Sequence, residues 1–176
     1  MVKFQKRGSI ELSFQLIFSL ILVAVFIYAS FVGIKYFLDI SEHAQINTFI
    51  AELQSKVEAA GTATEISQTY EISLPSGIKY VCFSQLNNLT KSALTNSNIT
   101  ACKDFERYLI NYKDMNMFFC PAEAAWKVSA PMYMNINCNG KNCLTFPKNP
   151  YCIPNANGKV RFKLEMNLGD EKIRLS

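Results

Sequence analysis

The chain has 176 residues, with 18 basic against 14 acidic side chains and a net charge of +4 at pH 7. The basic residues form no stripe with interleaved aromatic residues, which argues against binding to nucleic acid. The sequence has no phosphate-binding loop, dinucleotide motif or nucleophile motif, and its one histidine, His43, has no catalytic neighbours in the sequence. We therefore expect a protein that is not an enzyme, with no cofactor, no metal and no small-molecule substrate.

The first predicted element is Leu12–Ile34, which contains no charged side chain. A helix of this length covers about 35 Å and is long enough to cross a hydrocarbon core. The basic leader, residues 1–11, predicts a cytoplasmic N-terminus by the positive-inside rule. The apolar run is longer than that of a cleaved secretory signal. We expect a single-pass protein of the cell membrane, anchored in the lipid bilayer, with the rest of the chain extracytoplasmic.

Residues 35–60 contain neither proline nor glycine and are predicted to continue this helix as an amphipathic stalk. Gly61 is the expected stop signal. The alternative is two helices with a break near Asp39–Ser41. The predicted apolar stripe comprises Tyr36, Phe37, Ile40, Ala44, Phe49 or Ile50, Leu53 and Val57.

Residues 61–176 are predicted to form an extracytoplasmic domain of the α+β class with a small antiparallel sheet. After a polar linker, Gly61–Gln68, two β-like runs flank Pro75-Ser76-Gly77, which indicates a hairpin or two strands joined at a sharp corner. The next segment, Ser84–Ala101, is predicted to be an exposed loop with glycosylation sequons at Asn88 and Asn98. Helical spacing then predicts a short helix over Cys102–Tyr112.

Strands are predicted in the remaining chain at Met115–Cys120, ended by Pro121, at Trp126–Ser129 and at the alternating segment from Val160 to Met166, which begins a terminal hairpin. The last strand turns at residues 167–170 and returns as Glu171–Leu175. An irregular, disulfide-tied loop is expected at Asn135–Lys148. A cluster of methionines and aromatic residues, interpreted as core rather than as a binding surface, comprises Met115, Met117, Phe118, Phe119, Trp126, Met132, Tyr133 and Met134.

All six cysteines follow the apolar segment, which favours disulfides in an oxidising compartment. A zinc site is the less favoured interpretation, because structural zinc sites favour two tight cysteine pairs and only one loose pair, Cys138 and Cys143, is present. Sequence alone allows 15 pairings of six cysteines. Our preferred pairs are Cys82–Cys152, Cys138–Cys143 and Cys102–Cys120.

The N-terminal region resembles the type IV pilin-like proteins of archaea, which carry a class III signal peptide. The resemblance rests on Lys6-Arg7-Gly8, on Ser9-Ile10-Glu11-Leu12-Ser13-Phe14 and on the apolar run that follows. It covers about 35 residues. Two later segments, Leu74–Phe83 and Asn149–Ile153, resemble uncharacterised archaeal membrane proteins of the same architecture.

The resemblance implies that a prepilin peptidase cuts after Gly8 and leaves Ser9 as the new N-terminus. It also implies that Glu11 pairs with the free amine of a like subunit when the helices pack into a filament. Pilins usually place this glutamate five residues after the cut, whereas Glu11 would be third. Two hypotheses follow: a structural subunit of a surface filament or of its accessory machinery, and a monomeric membrane-tethered binding or scaffold module.

Overall fold

A computed structural model of the chain describes residues 8–84, 116–127, 133–138 and 140–176. The chain divides into two compact units, of which the first ends at Ile40 and the second comprises Ser41–Ser176. The predicted loop and helix between residues 85 and 115 lie outside the described residues, and so do Asn88, Asn98 and Cys102.

Helix α1, Gly8–Thr62, includes residues 39–41 without interruption, so the prediction of one long helix is confirmed and the alternative break at Asp39–Ser41 is wrong. The helix ends one residue after the predicted stop signal, Gly61. The Thr62 hydroxyl donates a hydrogen bond to the carbonyl of Ala59 at 3.0 Å and satisfies one of the unpaired carbonyls of the last turn.

The C-terminal part of α1 is part of the globular unit and is buried against it on one side. Its buried stripe consists of Ile46, Phe49, Leu53, Val57 and Ala60, each at most 1% exposed. These positions follow the three- and four-residue spacing of a helix face. The predicted division, a stalk over 35–60 and a domain from 61, therefore differs from the observed one, in which the globular unit starts at Ser41.

The globular unit contains a mixed eight-stranded sheet and a short helix, α2, Ala122–Lys127. The order in the sheet is β4-β3-β2-β6-β7-β8-β5, and β1 pairs with β7. Strands β5 and β8 are parallel, so the predicted antiparallel sheet is wrong at this edge. The strands are β1 Ile66–Ser73, β2 Tyr80–Phe83, β3 Met117–Cys120, β4 Tyr133–Met134, β5 Leu144–Thr145, β6 Tyr151–Ala156, β7 Lys159–Met166 and β8 Ile173–Leu175.

The chain turns a sharp corner at Pro75-Ser76-Gly77 rather than forming a hairpin, because β1 pairs with β7 while β2 pairs with β3 and β6. The side chain of Asn155 holds this corner. Its Nδ2 donates to the carbonyls of Leu74, Pro75 and Ile78 at 3.4, 2.9 and 2.8 Å. Strand β1 begins at Ile66, within the predicted linker.

Strand β7 is the centre of the unit. It pairs with β1 along its whole length, with β6 at its start and with β8 near its end. Its even-numbered residues are buried and its odd-numbered residues are exposed or half-buried, so the predicted terminal hairpin with β8 is confirmed. The predicted strand at Trp126–Ser129 is wrong at its start, because Trp126 and Lys127 lie in α2.

Buried polar groups join the sheet to the segment around Ile136. The Asn116 side chain, 4% exposed, accepts a hydrogen bond from the Ile136 N–H at 2.7 Å and donates one to the Ile136 carbonyl. The Asn116 amide thereby satisfies both backbone groups of Ile136, as a neighbouring strand would. An unsatisfied buried backbone group costs about 1–3 kcal/mol, so this side chain is important for stability.

We predict that Asn116→Ala lowers the free energy of unfolding by about 2–4 kcal/mol, because it leaves the Ile136 N–H and C=O without their side-chain partner. Urea unfolding of the detergent-solubilised chain measures the change. The exposed Asn47, bonded to His43, is the matched control, and Asn47→Ala should change stability by less than about 0.5 kcal/mol. Equal effects of the two substitutions would contradict the assigned role of Asn116.

Gly61 provides the second test of packing. A Cβ atom at this residue would lie 2.7 Å from Cys138 Sγ and 3.0 Å from Cys138 Cβ. We expect Gly61→Ala to destabilise the chain by about 1–3 kcal/mol, even though alanine favours helix, because the disulfide must move. Gly77→Ala is the control, since its added Cβ has ordinary contact with Ala124 at 3.8 Å. Thermal unfolding that ranks Gly77→Ala as the more harmful change would show this packing argument to be wrong.

Candidate functional site

The first candidate site is the apolar surface of α1 between Phe14 and Ile40. The large hydrophobic side chains of this segment are between 41% and 72% exposed. They include consecutive residues, such as Leu20 to Val23, and so cover all sides of the helix rather than one stripe. A helix that is apolar all round requires a lipid or protein environment. The segment is long and apolar enough to cross a membrane.

The predicted processing and assembly residues lie at the start of the described helix. Gly8, Ser9 and Glu11 are in its first turn, and Phe14, the first described apolar side chain, follows three residues after Glu11. An ionised carboxylate next to a membrane-spanning segment is costly to bury without a positive partner. The roles of Gly8, Ser9 and Glu11 in processing and assembly stay predictions.

Two disulfide bonds lie in the described residues, Cys82–Cys152 and Cys138–Cys143, and they are two of the pairs expected from the sequence. Cys82 and Cys152 are directly opposite each other on β2 and β6, with their Cα atoms 4.0 Å apart. Cys120 is also disulfide-bonded, and its predicted partner Cys102 is outside the described part. The described residues contain no cluster of metal-ligating side chains.

The small disulfide loop is attached to α1. Cys138 Sγ lies 3.6 Å from the Val57 carbonyl, and Gln54 Nε2 donates to the Asn137 carbonyl at 2.8 Å. Gly61 leaves room for the sulfur of Cys138. From the sequence, Gly61 was interpreted only as a helix stop signal. Its second role, to leave room for a sulfur atom, depends on Cys138, which lies 77 positions later and which no local pattern indicates.

The described members of the methionine and aromatic cluster are core residues. Met117, Phe118 and Phe119 are at most 2% exposed, and the Phe119 ring packs edge-on against Phe49 of α1 with centroids 5.9 Å apart. The interpretation of this strand as core is confirmed for these three residues. They provide no accessible binding surface.

The polar face of β1 and β7 carries paired charges. Lys159 Nζ lies 2.6 Å from a carboxylate oxygen of Glu71, and Lys163 pairs with Glu165. The hydrogen bond and charge of Lys159 lower the pKa of Glu71, and Lys163 lowers the pKa of Glu165 in the same way. Burial raises the pKa of Tyr151. The two glutamates are in surface ion pairs, and the phenol of Tyr151 is packed. Such an arrangement is typical of a folded exterior rather than of acid–base catalysis.

A second candidate site is a groove of about 400 Å³ between α1 and the end of β1. One wall is a helix stripe formed by Ser41, Ala44, Gln45, Thr48 and Glu52. The other wall is Glu71, Ile72 and Ser73 of β1. The sequence did not predict this groove, because residues 35–60 were expected to form a stalk apart from the domain.

Comparison of the chain with protein-family models, with curated proteins and with solved structures found no match.

We predict that the apolar segment anchors the chain in the membrane. Leu22→Arg combined with Val25→Arg places two charges near its middle, at about 2.5–3.5 kcal/mol each for insertion. The variant should move to the soluble fraction on alkaline carbonate extraction, while the wild-type chain stays in the membrane pellet. Ala51→Arg with Ser55→Arg, at exposed positions of the same helix, is the control and should remain in the pellet. A wild-type chain that alkaline carbonate extracts would rule out the anchor.

Proposed function

We propose that this protein is a non-enzymatic, pilin-like structural subunit of a surface filament or of its accessory machinery. The observation that carries the proposal is the division of α1 into two environments. The apolar side chains between Phe14 and Ile40 are exposed on all sides, whereas the stripe from Ile46 to Ala60 is buried in the chain's own globular unit. One helix thus anchors a folded domain and presents a long apolar surface.

This apolar surface requires a partner. Removing apolar area from water contributes roughly 25 cal/mol per Å². Lipid supplies that environment for a single chain in the membrane, and the helices of like subunits supply it in a filament core. The same surface therefore serves as an anchor before assembly and as packing material after it.

The resemblance of the N-terminal region assigns roles at the entrance to this helix. Cleavage after Gly8 by a prepilin peptidase creates a free amine on Ser9, close in sequence to Glu11. The Glu11 carboxylate then pairs with the amine of a neighbouring subunit, which offsets the cost of placing a charge among apolar helices. This ion pair sets the axial offset between neighbouring helices in the filament.

The disulfides support an extracytoplasmic location for the domain. All six cysteines follow the apolar segment, and the disulfides Cys82–Cys152 and Cys138–Cys143 are formed. Disulfide bonds persist in oxidising compartments and are rare in the cytosol. Together with the basic residues before Leu12, this supports a cytoplasmic N-terminus and an exported domain.

The mature N-terminus tests processing directly. Mass-spectrometric sequencing of the protein purified from its membrane should find Ser9 as the first residue. Gly8→Val is expected to block the cut and leave the full leader attached. An intact leader on the wild-type chain, or cleavage beyond residue 30, would exclude prepilin processing.

Glu11→Ala tests assembly. It should abolish or strongly reduce sheared or pelleted filaments, while the amount of folded subunit in the membrane stays the same. Glu42→Ala is the matched control, because Glu42 is an exposed glutamate later on the same helix. If wild type and Glu11→Ala are both monomeric in the membrane, the alternative of a monomeric tethered binding or scaffold module is supported instead.

A further inference from the structure

Strand β1 has one open edge. It pairs with β7 along all eight residues, and among the described residues it pairs with no other strand. Five of its side chains are exposed, and Ile72 alone is buried. An open edge of this length presents a row of backbone N–H and C=O groups to another strand.

The usual protections of an edge strand are missing from β1. Its sequence, ISQTYEIS, contains no proline, no glycine and no basic residue. Its one charge, Glu71, is paired with Lys159 of the neighbouring strand. The basic residues of this face, Lys159, Arg161 and Lys163, are on β7, inside the sheet, where they protect no edge. Natural edge strands place such charges on the edge itself.

The groove beside β1 provides space for a further strand. The exposed residues Ala44 and Thr48 of α1 stand opposite Ile72 in this groove. Further along, Lys56 Nζ lies 5.4 Å from the centre of the Tyr70 ring. An edge strand that borders a helix-walled groove is a common arrangement for the addition of an extended segment.

We propose that β1 pairs in antiparallel orientation with β1 of a second copy of this chain, about a two-fold axis at Thr69. In this register Thr69 faces Thr69 of the second copy. Gln68 faces Tyr70, Ser67 faces Glu71, and Ile66 faces Ile72. Residues directly opposite each other in such a pair are on the same face of the sheet, so the exposed polar side chains of Ser67, Thr69 and Glu71 meet polar partners on the outer face.

The charges favour this pairing of identical strands. Glu71 lies opposite Ser67, and the two copies of Glu71 are separated by four residues along the strands, or roughly 14 Å. No like charges face each other directly, which is the requirement for a self-complementary two-fold interface. A sheet of two copies also satisfies the backbone groups on the edge of β1 that pairs with no described strand. The inference does not depend on the filament proposal, because none of its residues lies before Ser41.

Cysteine cross-linking of the full chain in its membrane tests the register. In the proposed pair the Cβ atoms of Thr69 are about 4.5–5.5 Å apart. Thr69→Cys should therefore give a covalent dimer on oxidation with copper phenanthroline. Ser67→Cys is the matched control on the same face of the same strand, and it should not cross-link to itself. Co-expression of Ser67→Cys with Glu71→Cys should restore the dimer. The five cysteines of the described residues are already in disulfides and do not compete.

Thr69→Lys tests the interaction rather than the geometry. It places two lysines opposite each other, and it should abolish the cross-link between Ser67→Cys and Glu71→Cys. Thr69→Ser should keep it. Equal cross-linking at residues 67 and 69, no dimer at residue 69, or a product whose mass shows a different protein would each overturn the proposal. Glu11→Ala should leave the Thr69→Cys dimer intact, so failure of filament assembly and failure of strand pairing can be told apart.

Discussion

The structure depends on one constraint. Two parts of a single helix, α1, lie in different environments. Between Phe14 and Ile40 the apolar residues point in all directions, while from Ile46 onwards they form a narrow buried stripe. The sheet is packed against this stripe, with Phe49 on Phe119 and Ala60 close to the Cys138 loop. If the stripe were removed, the inner face of β7 and its neighbours would lose its cover. The domain is therefore built on the helix rather than attached to its end.

Local sequence patterns predicted those helices and strands whose structure is determined by their own residues. The uncharged run after Leu12, the alternation through β7 and the buried strand before Pro121 are all found as expected. The predicted stripe of α1 is confirmed at Phe49, Leu53 and Val57 and is wrong before them, because Tyr36, Phe37 and Ile40 belong to the all-round apolar segment. Extending their spacing led to Ala44, which is exposed, and missed Ile46, which is buried.

Long-range pairing was harder to predict. Strand β6 contains Pro154 and does not alternate strictly, so the sequence did not show it as a strand. The turn Asn157-Gly158, with φ values of 54° and 80°, is a strong hairpin signal that would have located it. The parallel pair of β5 and β8 has no local signal, since Leu144–Thr145 is only two residues long. The groove beside β1 was not predicted either, because residues 35–60 were expected to form a stalk apart from the domain, whereas residues from Ser41 onwards form one wall of the groove.

The core that α1 shares with β7 and β8 also bears on the order of events during folding. Phe49 and Val57 share a core with Phe162, Ile173 and Leu175, more than a hundred residues later. A polypeptide synthesised from its N-terminal end presents the helix stripe first and the covering strands later. Until the final residues arrive, that stripe has no native neighbour in β7 or β8. A chain shortened by the last twenty residues would lack β7 and β8 entirely and with them the described partner of β1, so such a fragment would be a natural substrate for quality-control proteases.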